Sequence, residues 1–190
     1  LFSKYDLLAL PVLDTDECMV GKTEVALYGL AYSIGMLVQL FISGMNSALT
    51  PWMYSKIKKG DIRSMRKVLQ LLSIVVVGIA VALMLISPEM VLIFGSPKYR
   101  EAVYVIPPVA ASVFFIFIYN ILSMPQFYYE KTQFLMAASM AAAGANVVLN
   151  FIFIRLFGYI AAGYTTLACY MLYSVGHYIV SKQILVNEGI

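Results

Sequence analysis

Five long apolar stretches follow one another along the chain, and almost no charged residue lies inside any of them. Each holds the ~20 apolar residues that a helix needs to cross a hydrocarbon core of ~30 Å. Lipid offers no hydrogen-bond partner, so the backbone of each stretch has to satisfy its own N–H and C=O groups, which a helix does. The pattern therefore predicts five successive transmembrane helices, at residues 24–54, 68–87, 103–129, 134–157 and 160–181.

Composition supports an all-α, polytopic transmembrane helix bundle. Hydrophobic residues make up 62% of the chain and charged residues 12%, against roughly 45–50% and 25% in soluble domains. This leaves too little polar sequence to cover a soluble globule, so lipid has to surround much of the protein. The formal charge of +3 does not indicate nucleic-acid binding, because the basic residues are concentrated in one connection and have no aromatic residues between them.

The first 23 residues do not belong to the five predicted helices. Residues 7–13 resemble the last turns of a truncated transmembrane helix, and an acidic external connection follows them up to residue 23. Residues 24–190 then form the five-helix bundle. We interpret the chain as a piece of a longer transporter-like protein; the alternative is a complete small protein with an ordered amphipathic N-terminus.

The connection at residues 55–67 predicts how the helices are oriented. It has a single acid, Asp61, among its basic residues, which are Lys56, Lys58, Lys59, Arg63, Arg66 and Lys67. Short loops rich in Lys and Arg stay in the cytoplasm, so the first helix is expected to run from outside to inside. The connection at residues 88–102 is then external, and we expect Pro88 to mark the end of the second helix.

The first helix carries a polar stripe at steps of three and four residues, which includes Gln39, Ser43 and Asn46. Residues at these steps share one face of a helix. An amide left unsatisfied in hydrocarbon costs several kcal/mol, so this face is expected to meet another helix or water. The stripe has two possible interpretations: helix packing through small and polar residues, or the lining of a hydrated transport cavity.

Two further helices contribute candidate cavity residues. Asn120 belongs to a weaker polar stripe on the third helix, and the fourth has Asn146 and Asn150 one turn apart after an alanine-rich run. Arg155 follows them near the external end. It is expected either to reach the polar interface or to bind an anion at the mouth of the cavity, because guanidinium matches phosphate geometry.

No pattern of catalytic or metal-binding residues is visible. The two cysteines and one histidine lack the spacing of a zinc or redox site, and there is no nucleophile–base pair or phosphate-binding glycine loop. No metal, cofactor or enzymatic activity is therefore expected. No Asp or Glu lies within the five spans, since Glu24 and Glu130 are at their edges, although ion-driven pumps generally use an intramembrane carboxylate.

Several segments together resemble one protein family. They are the run ALYGLAYS at residues 26–33, Lys59-Gly60-Asp61 after Pro51, the external LIFG at residues 92–95 followed by Tyr99 and Ala102, and Asn146…Asn150 followed by FGYIAAG at residues 157–163. In this order they are similar to the polysaccharide (O-antigen and capsule) flippase branch of the multidrug/oligosaccharidyl-lipid/polysaccharide exporter superfamily. The chain resembles the C-terminal half, from the end of helix 7 to helix 12.

This resemblance implies one lobe of a two-lobed transporter in the bacterial inner membrane. It further implies that the protein flips an undecaprenyl-diphosphate-linked oligosaccharide by alternating access, alongside enzymes of polysaccharide assembly. Ile154-Arg155 departs from the family, which often has Ile-Pro there. The alternatives are a multidrug exporter or lipid II flippase of the same superfamily and, in a different class, a membrane-embedded glycan polymerase or acyltransferase.

Overall fold

A computed structural model describes residues 22–95 and 97–189. Within these ranges the structure is all-α, as predicted, and every predicted helix is present. The elements, in order, are α1 (Lys22–Lys58), α2 (Ile62–Phe94), a short 3-10 helix (Pro97–Tyr104), α3 (Ile106–Tyr128), α4 (Gln133–Phe157) and α5 (Ala161–Asn187). The N-terminal segment that we interpret as a truncated helix falls at residues 1–21, outside the described residues.

Four of the five helices are long and apolar enough to cross a membrane: α1, α2, α4 and the stretch Tyr99–Tyr128 that contains α3. The fifth, α5, has a sufficient length of 27 residues but carries more polar side chains. Most of these are buried against the bundle, namely Thr165, Thr166, Tyr170, Tyr173, Ser174, His177 and Ser181. The five-helix bundle is present, and α5 is the member that lacks a sufficiently apolar stretch for a membrane span by composition.

Helix boundaries near the basic connection differ from the expected ones. Most of residues 55–67 is helical, and only residues 59–61 separate α1 from α2. Asp61 caps α2 by accepting a hydrogen bond from the backbone N–H of Ser64 at 3.2 Å. The expected end of α2 at Pro88 is wrong: α2 continues to Phe94, because Val91, one turn further on, is fully buried in the core and keeps the last turns packed.

The centre of the bundle is α3, which packs against α1, α2 and α5, while α4 packs mainly on α5. Helices α1, α3 and α5 run in the same direction. Helix α3 closely approaches both α1 and α5 at a glycine. A Cβ at Gly35 of α1 would lie 2.5 Å from Val109 Cγ1 of α3, and a Cβ at Gly163 of α5 would lie 2.9 Å from Pro108 Cγ of α3.

The connections alternate between the two ends of the bundle. The turn at residues 59–61, the turn at residues 129–132 and the end of α5 share one end, where Lys131 Nζ bonds Glu188 Oε1 at 2.8 Å. We call this the basic end, because Lys56, Lys58, Lys59, Arg63, Arg66, Lys67, Lys131 and Lys182 all belong to it. The 3-10 helix and the turn before α5 lie at the opposite end.

Candidate functional site

The helices differ in what they present to the outside of the bundle. The exposed faces of α2 and α4 carry large apolar side chains, such as Ile74, Leu85, Val148 and Leu156, which suits contact with lipid. The exposed face of α1 is smaller and more polar. It includes Ser33, Ser43, Gly44, Ser47 and Ala48 together with Leu37, Leu40 and Phe41. This α1 face is the best candidate for a transport surface.

Gln39 and Asn46 lie half-buried at the border of the α1 face, and Ser43 is exposed on it. Two hydroxyl groups one turn further along form hydrogen bonds to the backbone of α1: Ser47 Oγ donates to the Ser43 carbonyl at 2.9 Å, and Thr50 Oγ1 donates to the Asn46 carbonyl at 2.8 Å. The side-chain amides of Gln39 and Asn46 form no such bonds. Within the described residues, Gln39 makes no side-chain hydrogen bond, and the buried Asn46 Oδ1 has no partner.

Asn120 is placed differently. It is half-buried on α3, and its Nδ2 donates to the carbonyl of Ile116, one turn earlier, at 2.8 Å. The carbonyl of Asn120 accepts a bond from Ser123 Oγ at 2.8 Å. One of the two amide N–H groups is therefore engaged by its own helix, and Oδ1 could accept a further bond.

Asn146 and Asn150 lie together in the interface between α4 and α5, with 1% and 2% of their surfaces exposed. Asn150 Nδ2 donates to Asn146 Oδ1 at 2.9 Å, and Thr165 Oγ1 of α5 donates to Asn150 Oδ1. This short chain of bonds joins the two helices. A substrate could reach it only if α5 moved away from α4.

Arg155 lies near the end of α4, opposite the basic end, and its side chain is exposed. Its guanidinium carbon lies 4.2 Å from the centre of the Phe151 ring, in cation–π geometry. The buried residue next to it is Ile154, so Arg155 points away from the face that holds the two asparagines. The structure thus brings Asn146 and Asn150 together but separates both from Arg155.

The most deeply buried polar pair was not among the predicted site residues. Gln126 of α3 and His177 of α5 are both fully buried, and Gln126 Nε2 lies 2.8 Å from His177 Nδ1. Tyr119, Phe134 and Tyr173 surround the imidazole. The spacing of the polar residues on α3 and α5 indicates the two faces, but no local pattern reveals that residues 51 positions apart are partners.

At the basic end, Lys56 Nζ donates a 2.6 Å hydrogen bond to Asp61 Oδ2. This bond, with a smaller contribution from Ser64, lowers the pKa of the Asp61 carboxyl to about 2. The carboxylate therefore stays ionised at any physiological pH and stabilises the turn between α1 and α2.

The apolar helices and the segregated charges define a multi-pass membrane protein. The chain belongs to the MatE family, whose model matches residues 18–152. It is also similar to an uncharacterized membrane protein of Haemophilus influenzae (strain Rd), with 31% identity over 121 residues that cover 60% of this chain. The chain spans 28% of that relative's length. No solved structure matches the chain.

Proposed function

We propose that the protein flips a lipid-linked oligosaccharide across the bacterial inner membrane by alternating access. The observation that carries the proposal is the α1 face with its two amides, Gln39 and Asn46, which lack side-chain partners within the described residues. Neutral amides suit sugar hydroxyls: Gln39 can both donate and accept hydrogen bonds, and Asn46, whose Oδ1 is buried, can donate through Nδ2. Membership of the MatE family and the order of the flippase-like segments support the same function.

In this proposal the sugar passes along the α1 face while the lipid tail stays in the bilayer. The sugar hydroxyls form hydrogen bonds in turn with Gln39, Ser43 and Asn46. On α3, Asn120 Oδ1 accepts a further hydrogen bond from the sugar. Arg155, exposed at the end opposite the basic end, attracts the diphosphate there. Asn146 and Asn150 hold α4 on α5 and act on the pathway through helix packing. Carboxylates lie only near the ends of the described helices α1 to α5, at Glu24 and Glu89, so this region shapes the pathway rather than coupling it to an ion gradient.

The test is complementation of a deletion strain with the complete gene product. We expect the Gln39→Leu/Asn46→Leu double variant to export at least about tenfold less surface polysaccharide, because two hydrogen bonds worth ~1 kcal/mol each are lost. The matched control is Gln183→Leu/Asn187→Leu, which removes two exposed amides at the end of α5. Normal surface polysaccharide from the first variant, at wild-type protein levels, would refute the proposed sugar pathway.

A multidrug exporter of the same superfamily is the second candidate, and one observation favours it. Leu40 and Phe41 of α1 are 69% and 55% exposed, and apolar side chains beside amides suit an amphipathic organic compound. If this candidate is correct, deletion of the gene lowers drug resistance and leaves surface polysaccharide unchanged. Leu40→Ala/Phe41→Ala would then reduce resistance more than Gln39→Leu/Asn46→Leu.

A further inference from the structure

A groove opens on the side of the bundle near the basic end. Helices α2 and α5 both pack on α3 and leave between them a cleft of about 620 Å³. A smaller cavity of about 310 Å³ continues the cleft toward the end of α5 and shares six lining residues with it. The shared residues are Ile62, Arg66, Leu122, Tyr178, Ser181 and Leu185. The two cavities therefore form one continuous groove.

The walls and floor of this groove are largely apolar. Leu69 and Ile74 of α2 form one wall, Leu185 of α5 belongs to the other, and Ile121 and Pro125 of α3 lie on the floor. Pro125 has no N–H group, so the floor offers no backbone donor at that position. A surface of this kind favours a hydrocarbon chain over water.

The part of the groove nearest the basic end is different, because two cations lie there. Arg66 of α2 and Lys182 of α5 both line the smaller cavity and are exposed. Within the described residues, neither has an ion-pair partner, whereas Lys56 and Lys131 at the same end are paired with Asp61 and Glu188. Two unneutralised cations beside an apolar groove complement a phosphate that is joined to a hydrocarbon chain.

We propose that this groove binds a bilayer phospholipid with an anionic headgroup, such as phosphatidylglycerol. One acyl chain lies between α2 and α5 on the floor of α3, and the headgroup phosphate contacts Arg66 and Lys182. Basic pockets between transmembrane helices recognise anionic headgroups in this way. The lipid is a resident component, not the transported substrate, and it links α2 to α5 where the two helices otherwise meet through α3.

The headgroup is tested by native mass spectrometry of the complete protein with phosphatidylglycerol. We expect Arg66→Gln/Lys182→Gln to lower the affinity for the lipid about 25-fold, since each basic side chain near an anionic lipid contributes about fivefold. The control Arg63→Gln/Lys67→Gln removes two exposed charges of α2 that do not line the groove and should retain the lipid. Equal losses in both variants would indicate diffuse surface attraction and overturn the site.

The proposed position of the acyl chain is tested by filling the groove with a larger side chain. Gln70 lines it, so Gln70→Trp should displace the lipid, whereas Leu71→Trp, on the next, exposed position of α2, should not. Equal retention of phosphatidylcholine and phosphatidylglycerol by the wild-type protein would overturn the proposed headgroup selectivity. Complete displacement of phosphatidylglycerol by an equal concentration of undecaprenyl phosphate would overturn the resident role and make the groove a carrier-lipid site.

Discussion

Asn46 and Asn150 are the same residue in the same kind of apolar helix, yet their amides are satisfied to different extents. Asn150 uses both ends of its amide in hydrogen bonds to Asn146 and Thr165. Asn46 Oδ1 is buried and has no partner within the described residues. A buried acceptor without a partner costs ~1–3 kcal/mol. Asn150 therefore contributes to stability, and Asn46 is retained at the expense of stability.

This contrast predicts opposite effects of the same substitution. We expect Asn150→Leu to lower the free energy of unfolding by ~1 kcal/mol, the usual size of an interhelical hydrogen bond in a membrane. Asn46→Leu should be neutral or stabilising by about the same amount, because it removes an unsatisfied acceptor. Unfolding in mixed detergent micelles measures both. Equal destabilisation by the two variants would contradict this interpretation of Asn46.

A second prediction at the residue scale concerns the turn between α1 and α2. The pKa of Asp61 lies at about 2, below its ordinary value of 3.8, mainly because Lys56 donates a hydrogen bond to it. A carboxyl group whose pKa is depressed on folding stabilises the fold above its unfolded pKa. This contribution is therefore complete above pH ~4 and is lost as the pH falls toward ~2.

An NMR titration of the Asp61 carboxyl carbon checks this value. Lys56→Met should raise the pKa of Asp61 toward 3.8, because the charged donor is removed. Lys59→Met is the matched control: Lys59 is nearer in sequence to Asp61 than Lys56 is, but it is exposed and not bonded to Asp61. A pKa that responds to both substitutions alike would point to general charge screening rather than to the Lys56 bond.

At the scale of elements, the contact between α5 and α3 depends on a missing side chain. A Cβ at Gly163 would lie 2.9 Å from Pro108 Cγ, and a proline ring cannot rotate away. Gly163→Val should therefore force α5 off α3 and cost ~1–3 kcal/mol of stability. Gly144→Val is the control, because a Cβ at Gly144 meets nothing within 4 Å. Thermal unfolding in detergent distinguishes them, and similar melting temperatures would contradict the close approach.

Sequence patterns predicted the helices well because lipid imposes one simple requirement, a long apolar run. They could not predict what each polar stripe meets. The steps at Gln39, Ser43 and Asn46 resemble the step from Asn146 to Asn150, yet the first set borders an exposed face and the second lies against α5. That difference arises from packing between helices distant in sequence, as does the continuation of α2 past Pro88.

For the whole molecule, the distribution of charge predicts how it lies in the membrane. Basic residues concentrate at one end of the bundle, and short segments rich in Lys and Arg remain on the cytoplasmic side. In a background without Cys18 and Cys169, we expect an impermeant maleimide to label Lys59→Cys only in inside-out vesicles. Arg100→Cys, exposed at the opposite end, should react only in right-side-out vesicles. The reverse pattern would invert the proposed orientation.

The polarity of α5 has a consequence for biogenesis. When α5 leaves the ribosome, its face with Ser174 and His177 cannot enter lipid alone without exposing unsatisfied groups. The partners are already made: the carbonyl of Phe115 accepts from Ser174, and Gln126 bonds His177. We therefore expect helix α3 to stay close to the site of insertion until α5 arrives, because α3 supplies both hydrogen-bond partners. A chain that stops before α5 would leave Gln126 exposed to lipid and become a target for membrane proteolysis.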